Sequence, residues 1–233
     1  MGMTYSDLSF EVAGMLQIDT TDRDKFQVQN CLNRSQLLLL NILPSMFLVN
    51  SIKTTLNNLA SAEGAIQHPT LFIRLLNLWV DYDVPITDTN IGFPVKIIND
   101  QLVNQIANKF LIGSQSFPIA ALNATNGWEL RPVPDANVVH GWRMKYVYRL
   151  PTITGTQPCL LRENLRNLLI FVAASFSAAV NNYSPERSDF FWNRFKEELL
   201  LLQPKAVTKI EGRDGYLRNF VNYTELLRNA NRG

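Results

Sequence analysis

The chain is poor in the residues that most enzymes use for chemistry, with two histidines and two cysteines among 233 residues. His68 and His140 each precede a loop-forming residue, Pro69 and Gly141, and no third group is placed to orient either as a base. Both therefore read as surface residues. Cys31 and Cys159 are far apart and sit in apolar surroundings. That pattern reads as two small buried thiols in a reducing compartment, not as a disulfide. No phosphate-binding glycine loop, Cys-x-x-Cys or Gly-x-Ser-x-Gly occurs. Asp81 and Asp83 could converge at a strand end, but no further oxygen ligand stands near them, so they read as a solvated turn. No catalytic residue, metal or cofactor is expected.

Long hydrophobic runs are missing too. The longest uncharged stretches, 36–52 and 167–185, contain Pro44 or are rich in Ala, Ser and Asn, and neither suits a bilayer span. No membrane partner is expected. Nor does charge of one sign dominate: the net charge is +2, too small to argue by itself for a nucleic-acid or membrane-surface protein. The positive excess lies at the end of the chain. From Lys205 onward there are six basic residues (Lys205, Lys209, Arg213, Arg218, Arg228, Arg232) against three acids (Glu211, Asp214, Glu225).

What remains is an ordinary globular composition, 46% hydrophobic and 18% charged. The central landmark is 126–151. Asn126-Gly127 is a turn dipeptide, after which Trp128, Leu130 and Pro132 alternate with Glu129 and Arg131. A second run alternates Trp142, Met144, Tyr146 and Tyr148 with Arg143, Lys145, Val147 and Arg149. Period two with aromatic content predicts half-buried strands. The aromatic–basic mixture could suit nucleic acid, but a strand sends its rings and its cations to opposite faces. It reads as a core strand with a wet basic face.

Helices flank this block. Thr4-Tyr5-Ser6-Asp7 has the form of a helix-start capping signal, and Leu8, Val12, Met15 and Leu16 follow at helical spacing. A second helix follows Thr21-Asp22-Arg23-Asp24, with Val28, Cys31, Leu32, Ser35, Leu38, Leu39 and Ile42 on one face, and stops at Pro44. The spacing then predicts strands over 46–56 and 71–81, a loop over 57–67, a helix from about Ile97 to Phe110 and a strand over 116–122. A helix over 161–181 carries Leu165, Leu168, Leu169, Val172, Phe176, Ala179 and Val180 on one face. Ser184-Pro185-Glu186 starts another, which ends before Pro204.

The expected fold is thus α+β, mainly α: a four-helix bundle from 1–45 and 159–204, an inserted β-rich subdomain over 46–158, and an extended C-terminal arm over 205–233. In the arm, Tyr216, Leu217, Phe220, Tyr223, Leu226 and Leu227 are too many apolar groups to leave in water, while Gly212 and Gly215 argue against an independent core. They are the candidate partner-binding residues.

The layout resembles the head-to-tail adaptor proteins of tailed bacteriophages, the neck family that includes podovirus tail tubular protein A. The matching features are Met3-Thr4-Tyr5-Ser6-Asp7-Leu8, Asn30-Cys31-Leu32-Asn33-Arg34 and a Pro-x-x-Phe-x-Arg-Leu strand at 69–75. They continue with Leu130-Arg131-Pro132-Val133-Pro134 and Lys145-Tyr146-Val147-Tyr148-Arg149-Leu150-Pro151, followed by an Ala-rich helix. His68-Pro69-Thr70-Leu71 departs from the usual pattern. The resemblance covers roughly 3–204 and implies a non-enzymatic ring, usually of twelve copies, in the neck of the virion. Such a ring sits beneath the portal, extends the DNA channel and carries a tail or tail-completion (nozzle) protein, with genomic DNA passing non-specifically. A cytoplasmic helical protein–protein binding module is the other reading.

Overall fold

A computed structural model describes residues 3–18, 22–61, 64–98, 113–123, 127–180 and 185–202. Their contacts divide them into two compact units, one within Met1–Ile42 and Pro151–Gly233, the other within Leu43–Leu150.

The first unit is helical. Helix α1 (Tyr5–Leu16) starts where expected: the Thr4 hydroxyl oxygen accepts the Asp7 backbone N–H at 3.2 Å, satisfying an amide that the first turn leaves over. Helix α2 (Asp22–Ile42) buries Val28, Cys31, Leu32, Ser35, Gln36, Leu39 and Leu40. Helix α3 (Arg166–Val180) and helix α4 (Pro185–Leu202) complete it. The expectation of a four-helix bundle is wrong. Together with the two sheets described below, the helices make an α/β fold, and the helices themselves do not divide a common core evenly. Helix α3 is buried at Leu168, Leu169, Ile170, Val172, Ala173, Ala174, Ser175, Ser177 and Ala178, whereas Ala179 and Val180 are exposed. Helices α1, α2 and α4 all pack on it, and α4 buries only Phe191 and Phe195. A bundle helix needs one apolar stripe and one polar face. The small residues of α3 remove its polar face, so this helix becomes the axis of the unit.

Polar groups fix the packing. The Ser175 and Ser188 hydroxyls donate reciprocally to each other's backbone carbonyls, at 3.0 and 3.1 Å, tying α3 to α4. Arg166 pairs with Glu11 of α1. Along α2, Gln29, Asn33 and Gln36 hold the returning chain. Gln29 and Asn33 side-chain amides donate to the Ile153 carbonyl (3.2 and 3.1 Å), and Asn33 Oδ1 accepts the Ile153 N–H (2.6 Å). Gln36 donates to the Pro151 carbonyl at 3.0 Å. Asn33 thus completes both backbone groups of one residue. Asn33→Ala should lower stability by about 1–3 kcal/mol, because the part-buried Ile153 amide loses its acceptor and the Ile153 carbonyl keeps only Gln29. Denaturant midpoints of the two proteins check this, and an unchanged midpoint would count against the clamp.

The second unit holds two four-stranded sheets. The first has the order β1 (Ile52–Leu59), β8 (Val138–Tyr148), β3 (Phe72–Val80), β4 (Phe93–Pro94). The second runs β2 (Ala65–Gln67), β7 (Gly127–Arg131), β6 (Ile119–Asn123), β5 (Lys96–Ile98). All pairs are antiparallel except β5–β6. Leu59, Leu78, Val80, Val138, Trp142, Met144 and Tyr146 from the first sheet meet Ile66, Ala120, Trp128 and Leu130 from the second in one core. This alternation is the one that period two in 126–151 predicts.

Two expectations here need correction. The strand expected over 46–56 begins only at Ile52, after two 3-10 turns at Ser45–Phe47 and Val49–Ser51, where the β-branched run Ile52, Thr54, Thr55 starts. It then continues through Asn57 to Leu59, and part of the expected loop also forms β2. Backbone pairing to β8 and β7 outweighs the low strand propensity of those polar residues. The helix expected from Ile97 to Phe110 lies outside the described residues, apart from Ile97 and Ile98, which belong to β5.

Candidate functional site

The two histidines occupy different surroundings. His140 is exposed, with φ +53°, at an irregularity in the β1–β8 pairing, and its backbone N–H donates to Asn58 Oδ1 at 3.0 Å. His68 is not the surface residue expected. Its ring stacks on Phe72 at 4.3 Å between centroids and tilts against Trp128 at 4.1 Å. Its Nε2 is buried with no hydrogen-bond partner among the described residues. The partners come from β3 and β7, which the local sequence around His68 does not reveal. Burial lowers the pKa of His68 below the ordinary value of 6.5, since no group nearby favours the cation.

The sign of the pH effect follows. The unfolded chain takes up the His68 proton first as pH falls, so stability is full above pH 6.5 and declines below it. His68→Phe should keep the ring stack and lose that decline. The thermal midpoints of the two proteins, compared from pH 7.5 to 5, check this. Parallel curves would sink it.

Asp81 is buried, and its carboxylate is fully used within its own loop. Oδ1 accepts the Asp83 and Val84 amides at 3.0 and 2.9 Å, and Oδ2 accepts the Asn90 side-chain amide at 2.9 Å. Burial pushes its pKa up, but the hydrogen bonds from Asn90, Val84 and Asp83 outweigh burial and hold it below the usual carboxylate value. Asp81 is therefore a loop brace and not the solvated turn residue expected, whereas Asp83 is exposed. Among the described residues no three of His, Cys, Asp and Glu come together as metal ligands would.

Cys31 and Cys159 are both free and buried. Burial pushes each thiol up to about 11, which leaves little thiolate at neutral pH. The Cys159 thiol points at Gln36 Oε1, 3.5 Å away.

Strand β8 divides its side chains as its alternation predicts from Trp142 to Tyr146, but not at Val147, which was expected on the wet face and is fully buried. Trp142, Met144 and Tyr146 are buried, while Lys145 is exposed and Arg143 half-buried. The Arg143 guanidinium lies over the Trp79 ring of β3, 5.9 Å from its centroid. Tyr216, Leu217, Phe220, Tyr223, Leu226 and Leu227, the arm residues expected to bind a partner, lie outside the described residues.

Sequence reasoning missed three features. The ring stack at His68 and the Arg143–Trp79 contact join residues from separate strands and leave no local signal. The Gln29–Asn33–Gln36 clamp does leave one: amide side chains at i, i+4 and i+7 fall on one side of a helix that is otherwise apolar there. The chain matches no protein-family model and no curated protein. No helix among the described residues is long and apolar enough to cross a membrane.

Proposed function

We propose that the chain is a head-to-tail adaptor of a tailed bacteriophage, a non-enzymatic protein of the virion neck. It assembles as a ring beneath the portal, extends the channel for genomic DNA and carries a tail or nozzle protein. One observation carries the reading. Asn33, within the segment Asn30–Arg34, holds both backbone groups of Ile153, and Pro151, the last residue of the segment Lys145–Pro151, accepts a hydrogen bond from Gln36. One residue of each segment thus takes part in the clamp that holds the chain where it returns to the helical unit. Exposed apolar side chains on the helices also fit a protein that meets copies of itself: Phe10 is 75% exposed on α1 and Leu201 72% on α4. Head-to-tail contacts between two such different surfaces form a ring when the rotation between copies closes.

The reading is tested by mixing the protein with portal rings and sedimenting the complex. Co-sedimentation, with added rings of density beneath the portal in electron micrographs, is the expected result. The arm belongs to the same proposal: deleting residues 205–233 should leave the thermal midpoint unchanged and abolish co-sedimentation. Failure of the full-length protein to sediment with any portal would overturn the adaptor reading. Full assembly without the arm would remove the arm's role alone.

A further inference from the structure

The strands of the first sheet contain four basic residues, Lys53, Arg74, Arg143 and Lys145, and no acidic one. The fold sorts them. Lys53 Nζ lies 4.1 Å from the centroid of the Tyr148 ring, and Arg74 donates to the Leu43 carbonyl. Arg143 and Lys145 share the sheet face that turns away from the core. Cross-strand pairing places Leu56 and Trp79 beside Arg143, and Thr54 and Asn77 beside Lys145. Thr54, Asn77 and Lys145 are exposed. Among the described residues neither Arg143 nor Lys145 makes an ion pair.

We propose that this face, with Arg143 and Lys145 at its centre and Thr54 and Asn77 beside them, binds the phosphate backbone of duplex DNA without regard to sequence. Neither cation has an ion-pair partner among the described residues, and a phosphodiester backbone is the regular polyanion that releases counterions when such a face meets it. Two cations two residues apart on one strand stand about 7 Å from each other, a spacing that lets both touch one strand of a duplex. Thr54 and Asn77 supply hydrogen-bond donors of the kind that contact phosphate oxygens. The Trp79 ring is covered by Arg143, so it props the guanidinium forward and is not free to stack a base. That disfavours stacking of a base on this ring, the mode of single-strand binders, and favours the duplex. The adaptor reading requires that DNA pass but names no surface. This inference rests on the charge and geometry of the sheet, and it stands or falls separately.

Binding is read with a fluorescent duplex of random sequence and the isolated full chain, as log affinity against log salt. Two phosphate contacts predict a slope of about −1.8. Arg143→Gln/Lys145→Gln should flatten the slope and weaken low-salt binding by on the order of tenfold. Lys96→Gln, an exposed cation on the second sheet, should leave both unchanged. Thermal midpoints identify any variant that has misfolded, and single Arg143→Lys, which keeps the charge, should retain the slope. A double variant with an unchanged slope would overturn the proposal, as would a wild-type protein that ignores DNA at low salt. Equal competition by polyglutamate would also overturn it, by pointing to an acidic protein partner. Portal co-sedimentation reads the adaptor function separately: a double variant that still joins portal rings but no longer binds the duplex supports both proposals.

Discussion

Leu169→Asp should unfold the helical unit. Leu169 lies in the first turn of α3, fully buried, with Leu165, Val172 and Ala173 buried one turn to either side. The only basic side chain of that helix, Arg166, is already paired with Glu11, so α3 itself offers a new carboxylate no free cation. Leaving an ionised group unpaired there costs several kcal/mol, about half the stability of a typical domain. Leu169→Ala sets the scale of the apolar loss alone, about 2–5 kcal/mol. The Asp variant should exceed it and lose cooperative melting by circular dichroism. A soluble Asp variant that melts at the wild-type temperature would show that α3 is not the axis of the unit.

Trp128→Ala should be the most damaging single truncation in the β unit. Trp128 is 4% exposed on β7, between β2 and β6, where it faces Ile66 and Leu122 in the pairing register. Its ring meets Phe72 edge-on at 5.3 Å and His68 at 4.1 Å, so one side chain joins the two sheets. Removing it should cost about 3–5 kcal/mol from lost burial and the cavity left behind. A double-mutant cycle with Phe72→Ala should return a coupling of about 0.5–1.5 kcal/mol, as edge-to-face pairs do. The cavity also opens a path for water to His68, so the variant should lose part of the wild-type stability decline below pH 6.5. A destabilisation under about 1 kcal/mol would mean that the sheets do not depend on this ring for their contact.

Features held by short-range chemistry were legible in the sequence. Thr4 announced α1 because its hydroxyl meets an amide three residues on, and the alternation from Trp142 to Tyr148 announced β8 because strand side chains alternate whatever the partner. The arrangement of the helices was not legible. Leu165 to Val180 reads as a one-sided stripe, whereas the buried surface wraps α3, since Ala173, Ala174 and Ala178 serve as small core residues on several sides. Periodicity detects contrast between faces, and a helix without a polar face has little to offer it. The polar edge strand β1 was read short for the opposite reason: Asn57 and Asn58 have weak strand propensity, and pairing with β8, about eighty residues away, extends the strand. The surface carrying Arg143 also depended on distant pairing. The cation was visible in the sequence, its bed on Trp79 was not.

The nesting of the chain has a temporal consequence. Strand β8 is the shared neighbour of β1 and β3, so the first sheet has no centre until Tyr148 has left the ribosome. Pairings of such long separation are slow to nucleate. Helices α1 and α2 are made earliest, yet the helix they bury against, α3, is made after every strand. Throughout synthesis of the β unit the apolar side of α2 therefore waits without its partner. The Gln29–Asn33–Gln36 clamp can engage only when residues 151–153 appear, immediately after β8. It can therefore form before α3 is made. Chaperone capture of the nascent protein should accordingly be strongest between the completion of α2 and the arrival of α3.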